Sequence, residues 1–206
     1  MNTGQLTDDG SRYPVVCIGM SAGAIEPLQQ LFQTLSPFTG MAFVVIHHLR
    51  NEPPTALHHL LSGWTSMPVH VVEQGAKVRP DEVYIIPSGK EMRLTDATLE
   101  LKPRSRIHGW MNIVTLFINS LRASQHCGIA VILSGMDEDG AEALRAFKHH
   151  GGITIAQEPE TASYPSMPEA AIESGAVDYV LAPKDIAAQL EKIAAKFARD
   201  RNTTAP

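Results

Sequence analysis

Three groups of residues carry side chains that could do chemistry together. The first is Ser21 in Gly19-Met20-Ser21-Ala22-Gly23, directly after the apolar run Val15-Val16-Cys17-Ile18. That run reads as a buried strand, and the glycine-flanked serine reads as a sharp turn into a helix opened by Pro27. Such a turn lifts a hydroxyl above the sheet, while helix amides beneath it can face an oxyanion. Ser21 is therefore the candidate nucleophile. A strand, a small-residue turn and a helix equally describe a phosphate or dinucleotide loop, so the partners must decide. A serine hydroxyl is a weak nucleophile until a base takes its proton, and the base in turn needs an orienting carboxylate.

The second group is His47-His48, which ends the continuous apolar run Met41 to Ile46. That run is too short to favour a helix and reads as a second buried parallel strand. In open parallel sheets the ligand site lies off the carboxyl ends of the strands, which puts both imidazoles near the rim that carries Ser21. The third group is Asp137-Glu138-Asp139, in the glycine-bounded loop Ser134 to Gly140 after the strand-like run Ile129 to Leu133. One of these acids could orient an imidazole. Three acids before a helix are also satisfied by capping and by the helix dipole, so the cluster alone leaves both roles open.

The rest of the chain must position these groups. Leu28, Leu31, Phe32 and Leu35 recur at helical spacing and end at Pro37 and Gly40, and a helix runs from Pro53 and Pro54 through Leu61. Val69 to Val72 reads as a third strand. Val83 to Ile86, Glu91 to Thr95 and Thr98 to Leu101 alternate apolar and polar residues and read as an appended antiparallel β-hairpin. Lys102 to Gly109 is a basic loop with Arg104, Arg106 and His108, more simply a solvated edge than a substrate contact. Strand and helix units continue to Phe197. The expected fold is α/β, a doubly wound, mainly parallel sheet with helices on both faces. The expected organisation is a leader or linker stub over 1–12, one domain over 13–199 and a flexible tail over 200–206.

Composition narrows the partners. A chain of 206 residues with 44% hydrophobic content can bury one large α/β core. A formal charge of -5 with interspersed signs gives no footprint for nucleic acid and no polybasic membrane anchor. The N-terminus lacks an apolar signal core, and no apolar run approaches bilayer length, so a cytoplasmic protein is expected. Cys17 and Cys127 lie in or beside apolar runs and read as buried thiols. The pairs His47-His48, His58-His59 and His149-His150 raise a metal site, but adjacent histidines diverge and no Cys-x-x-Cys or His-Glu-x-x-His accompanies them, so none is assigned.

Gly19 to Gly23, His47-His48 after a buried strand, and Gly135-Met136-x-x-Asp139-Gly140 stand in the order found in the CheB-type chemotaxis protein-glutamate methylesterases, a family the chain resembles. The resemblance extends through Gly151 to Gln157 and Met167-Pro168-x-x-Ala171-Ile172, and covers Tyr13 to Ala195. Ala22 and the tail segment look most like the branch often fused to a receptor methyltransferase. The resemblance implies Ser21 as nucleophile, His48 as general base, Asp139 as the acid orienting His48, and an oxyanion leaning on backbone amides near Ala22. It implies hydrolysis of γ-glutamyl methyl esters on chemotaxis receptor helices, with deamidation of glutamine by the same cycle, and no metal or organic cofactor.

The resemblance further implies a receiver or methyltransferase domain as partner. Complete chemotaxis members carry an N-terminal phospho-receiver, for which this chain has no room, so an isolated domain or a stand-alone enzyme is expected. Several positions depart from the family pattern. Ala22 stands where many members have a hydroxyl residue, Ala24 where they have glycine, His47 where glutamine is common, and Thr115 near a usual aspartate. Asp137 and Glu138 replace small or uncharged residues, and their charge should raise the pKa of His48. The competing reading is a non-catalytic module of the same fold that binds a receptor or signalling protein.

Overall fold

A computed structural model describes residues 5–6, 12–48, 54–104, 112–124 and 127–204 of the chain. β1 (Gln5–Leu6) and β2 (Arg12–Tyr13) pair antiparallel, joining residues of the expected leader or linker stub over 1–12 to the first residue of the expected domain. β3 (Val15–Met20), α1 (Ile25–Thr34), β4 (Ala42–His47), α2 (Pro54–Trp64) and β5 (Val69–Val71) follow. The chain then passes through β6 (Ala76–Lys77), β7 (Val83–Ile85) and the hairpin of β8 (Lys90–Thr95) and β9 (Thr98–Pro103). The remaining elements are α3 (Ile113–Ala123), β10 (Gly128–Ile132), α4 (Ala141–His149), β11 (Ile153–Gln157), α5 (Ser166–Glu173), β12 (Tyr179–Leu181) and α6 (Pro183–Thr204). α6 thus continues past residue 199, where the domain was expected to end. Arg106 and His108 of the expected basic loop, and Pro53, lie outside the described residues.

Seven strands form one sheet in the order β12-β11-β10-β3-β4-β7-β5, and every neighbouring pair is parallel. The chain builds outward from β3 on one side, then returns to lay β10 against its other edge. The strand order therefore reverses between β3 and β10, the place where open α/β sheets form their ligand crevice. Alternation along the strands splits the core into two layers. Val15, Cys17, Ala42, Val44 and Ile46 pack with α3, α4 and α5. Val16, Ile18, Met20, Phe43 and Val45 pack with α1, α2 and α6 on the opposite face. No helix among the described residues is long and apolar enough to cross a membrane.

One expectation is corrected in the antiparallel part. The hairpin is β8 with β9, joined through Asp96 and Ala97 at positive φ, and with β6 it makes a separate three-stranded sheet. Val83–Ile85 does not belong to it. β7 lies inside the parallel sheet between β4 and β5, with all three residues buried. The misleading residue is Tyr84, whose polar end suggested an outward face. Its hydroxyl is satisfied in place: it donates to Glu82 Oε2 at 2.6 Å and accepts from the Arg79 N–H at 2.9 Å.

Gly19 sets how closely α3 approaches the carboxyl end of β3. A Cβ there would lie 2.5 Å from Val114 Cγ1 and 3.3 Å from Ile132 Cδ1. Val114 is β-branched and stiff at the first turn of α3, so it cannot swing aside cheaply. Gly19→Ala is expected to destabilise the fold by about 1–3 kcal/mol through overpacking, as measured by denaturant unfolding. Adding Val114→Ala should recover part of that loss, and a purely additive double variant would contradict the packing account.

Candidate functional site

The register of the sheet brings the first two groups together. Met20 pairs with His47 at the ends of β3 and β4, and the His48 N–H donates to Met20 O at 3.3 Å. Ser21 and His48 are therefore the next positions beyond paired strand ends. By alternation Ser21 follows Cys17 and Gly19, and His48 follows Val44 and Ile46, on the layer that contains α3.

The Ser21 turn is pinned from several directions. Its N–H donates to Ser134 O at 2.9 Å, at the end of β10. Ser134 Oγ donates to Ala22 O at 2.8 Å and accepts from the Tyr164 N–H at 3.1 Å. The Ser134 N–H is held by Gln157 Oε1 at 3.0 Å, and Gln157 Nε2 donates to Thr161 O at 3.0 Å. Gly23 has φ +72, and a Cβ on it would meet Ser163, Tyr164 and Ser134 within 2.9 Å. A Cβ on Gly135 would lie 2.0 Å from Met167 Sδ and 2.9 Å from Ser21 Cβ, so the serine packs directly on bare backbone. Of the two glycines flanking Ser21, only Gly23 serves the turn itself, whereas Gly19 serves the approach of α3.

The third group closes on His48 from the β10 side. His48 Nε2 lies 2.7 Å from Asp139 Oδ2, and Nδ1 lies 2.7 Å from Asp137 Oδ2. Asp139 is anchored further: Oδ2 accepts from the Val114 N–H at 2.8 Å and Oδ1 from the Thr115 N–H at 2.9 Å. These are orphan amides at the start of α3, whose own N-cap, Asn112, makes no side-chain capping bond. Asp139 caps a helix remote in sequence while it holds the imidazole, so the two roles that the acid cluster left open are filled by one residue. Asp137 Oδ1 accepts from the Asp139 N–H at 3.0 Å. Thr115 Oγ1 accepts from the Gly140 N–H at 2.9 Å, which ties α3 to the same loop. Among the described residues His47 hydrogen-bonds to neither acid, and Glu138 is exposed.

Comparisons with known proteins give the family of the chain. A family model described as CheB methylesterase matches residues 16–190. The chain belongs to the CheB methylesterase family. A relative from Leptospira interrogans, named for protein-glutamate methylesterase and protein-glutamine glutaminase activity, is 30% identical over 193 residues, covering 92% of this chain and 96% of its own length. The protein-glutamate methylesterase/protein-glutamine glutaminase 1 of Syntrophus aciditrophicus is 31% identical over 189 residues, and there the match spans 54% of the relative's length. The CheB methylesterase catalytic domain of Thermotoga maritima superposes with a TM-score of 0.81 at 27% identity, covering 89% of this chain and 100% of that one.

Charge distinguishes the two histidines of this CheB domain. Burial pushes the His47 pKa down, as do the charges of His48 and Arg104, to about 4, so it is a neutral ring. Burial pushes His48 down as well, but hydrogen bonds and charge from Asp137 and Asp139 outweigh it and raise its pKa to about 9. The expected rise comes from Asp137, as anticipated, and from Asp139, whereas Glu138, also expected to contribute, is exposed and is not among its causes. Burial raises the pKa of Asp137, and the imidazolium reverses this to a net lowering. Cys17 stays a protonated thiol through burial and the nearby charge of Asp139.

Ser134, Gln157 and the amides of Val114 and Thr115 were not singled out from the sequence as site residues. Ser134 and Gln157 both stood in quoted motifs, yet their role depends on which loop folds over which strand end. The ion pairs of His48 also have a consequence for stability. A pKa raised from 6.5 to about 9 stabilises the fold fully below pH 6.5, and that contribution is lost as pH rises through about 9. Denaturant titrations should show stability falling by at most about 3 kcal/mol over that window, with the step absent in His48→Ala.

Proposed function

We propose that the chain hydrolyses γ-glutamyl methyl esters on helical segments of chemotaxis receptors, and deamidates receptor glutamines by the same cycle. The observation that carries this reading is the capture of His48 by Asp139 at 2.7 Å, at the strand end neighbouring Ser21 and at the reversal point of the sheet. Membership of the CheB methylesterase family and relatives named for both activities support the substrate class.

In this reading Ser21 Oγ attacks the ester carbonyl while His48 accepts its proton, and Asp139 fixes the ring and stabilises the imidazolium that forms. The proton then passes to the departing methoxide, which leaves as methanol, or to the departing amide nitrogen, which leaves as ammonia. Water, deprotonated by His48, clears the acyl-enzyme. The Ser21 N–H is committed to Ser134 O, so the oxyanion falls to neighbouring amides. The Ala22 N–H has no acceptor among the described residues, which suits it to that task. Met136, 66% exposed, and Tyr164, 42% exposed, flank the Ser21 turn through Gly135 and Gly23. They offer apolar contacts to the side of a substrate helix.

Ser21→Ala should reduce methanol release from a methylated receptor by roughly 10³-fold or more with no loss of stability. Equal release from both proteins would leave the non-catalytic module as the better account. The base must be neutral to act, so kcat/KM should climb with pH along a limb near 9. A pH-rate profile that is flat between 7 and 9 would contradict His48 as that base.

A further inference from the structure

An imidazole offers two nitrogens, and a histidine that activates a serine needs one for the acid and one for the hydroxyl. Here both are taken by carboxylates at 2.7 Å, an arrangement that fits only the imidazolium, in which both nitrogens donate. Among the described residues, Ser21 Oγ makes no hydrogen bond.

The two acids differ in how they are held. Asp139 accepts from two α3 amides besides His48, and its side chain is 2% exposed. Its withdrawal would strand two buried N–H donors. Asp137 has a side chain 25% exposed, and its second oxygen is occupied only by the Asp139 N–H at 3.0 Å. Rotation of Asp137 into solvent gives up one backbone N–H besides the His48 nitrogen, against two α3 amides for Asp139, and starts from a carboxylate that already reaches solvent. The nitrogen at which a carboxylate can be exchanged for a hydroxyl is therefore Nδ1.

We propose that Asp137 is a positioning residue that holds His48 in a closed resting arrangement, and that engagement of the site swings it out so that the Ser21 hydroxyl replaces it at Nδ1. This rests on the hydrolytic reading of Ser21, His48 and Asp139. As Asp137 departs, the Nδ1 proton passes to bulk water and leaves a neutral ring whose Nε2 still donates to Asp139. Nδ1 then accepts the Ser21 proton.

The other groups around His48 do not substitute for Asp137. Asp139 acts at Nε2, His47 is neutral above about pH 4, Arg104 acts on His47, Cys17 remains a thiol and Glu138 is exposed.

The test compares wild type with Asp137→Asn and Asp137→Ser, which keep a polar group near the Asp139 N–H without the charge. Two readouts are taken: the rate at which a serine-directed phosphonate modifies the protein at pH 7, with Ser21→Ala as blank, and the titration of His48 followed by ring NMR. Removing the charge should speed phosphonylation by roughly tenfold or more and bring the His48 midpoint down from about 9 by a unit or more. A reactive Ser21 with no gain in either variant, or an unmoved His48 midpoint, would overturn the role of Asp137 alone. A Ser21 inert in all three proteins would overturn the hydrolytic reading, and the exchange with it.

Discussion

The carboxylate of Asp139 is the point at which three remote stretches of chain are joined. One oxygen is shared between His48 Nε2 and the Val114 N–H, and the other takes the Thr115 N–H. A helix cap of this kind is worth about 0.5–2 kcal/mol, and a hydrogen bond to a charged group about 1.5–3 kcal/mol. Those gains offset the desolvation of an acid whose side chain is 2% exposed, which would otherwise be costly to bury. The bonds also fix the ring, because a carboxylate with no freedom of its own permits only one placement of the imidazole it holds.

The sheet prepares that junction. β3 is central, β4 and β10 lie on either side of it, and all three end at the same edge. Ser21, His48 and the Ser134–Gly140 loop emerge together although they are separated widely in sequence. Close approach then depends on missing side chains: Gly135 lets Ser21 pack on backbone, Gly23 admits Tyr164, and Gly19 admits Val114. Each absence brings one layer nearer the strand ends by about the width of a methyl group.

Much of this was legible in the residues. Continuous apolar runs such as Met41–Ile46 and Ile129–Leu133 announce strands buried on both faces, and a doubly wound sheet follows from their alternation with helices. The placement of Ser21, the histidine pair and the acid loop at one rim follows from topology alone. The strand at Val83–Ile85 was misplaced because Tyr84 mimics a polar outward position, and only the fold reveals that Glu82 and the Arg79 amide satisfy it from within. The double role of Asp139 was hidden for a related reason. Local pattern points an acid towards the helix that follows it, whereas Asp139 caps α3, which precedes it in the chain by a full strand and loop. The purpose of Gly19 was likewise invisible, since it is set by a valine far along the sequence.

The resting geometry and the proposed chemistry pull against each other. Two carboxylates on one ring favour the imidazolium, which cannot accept a proton from Ser21. With a pKa of about 9, releasing the ring at pH 7 costs about 3 kcal/mol. That cost falls on the substrate complex, because binding contacts made away from the reacting carbonyl can offset it before the chemical step. A receptor helix seated against Met136 would press on the loop that also carries Asp137, one residue further along. In the proposed exchange, substrate contact and release of His48 would be coupled through the single peptide unit that joins Met136 to Asp137. The coupling favours a hydrolase that is quiet toward small esters lacking a flanking surface and more active toward the helical protein that supplies one.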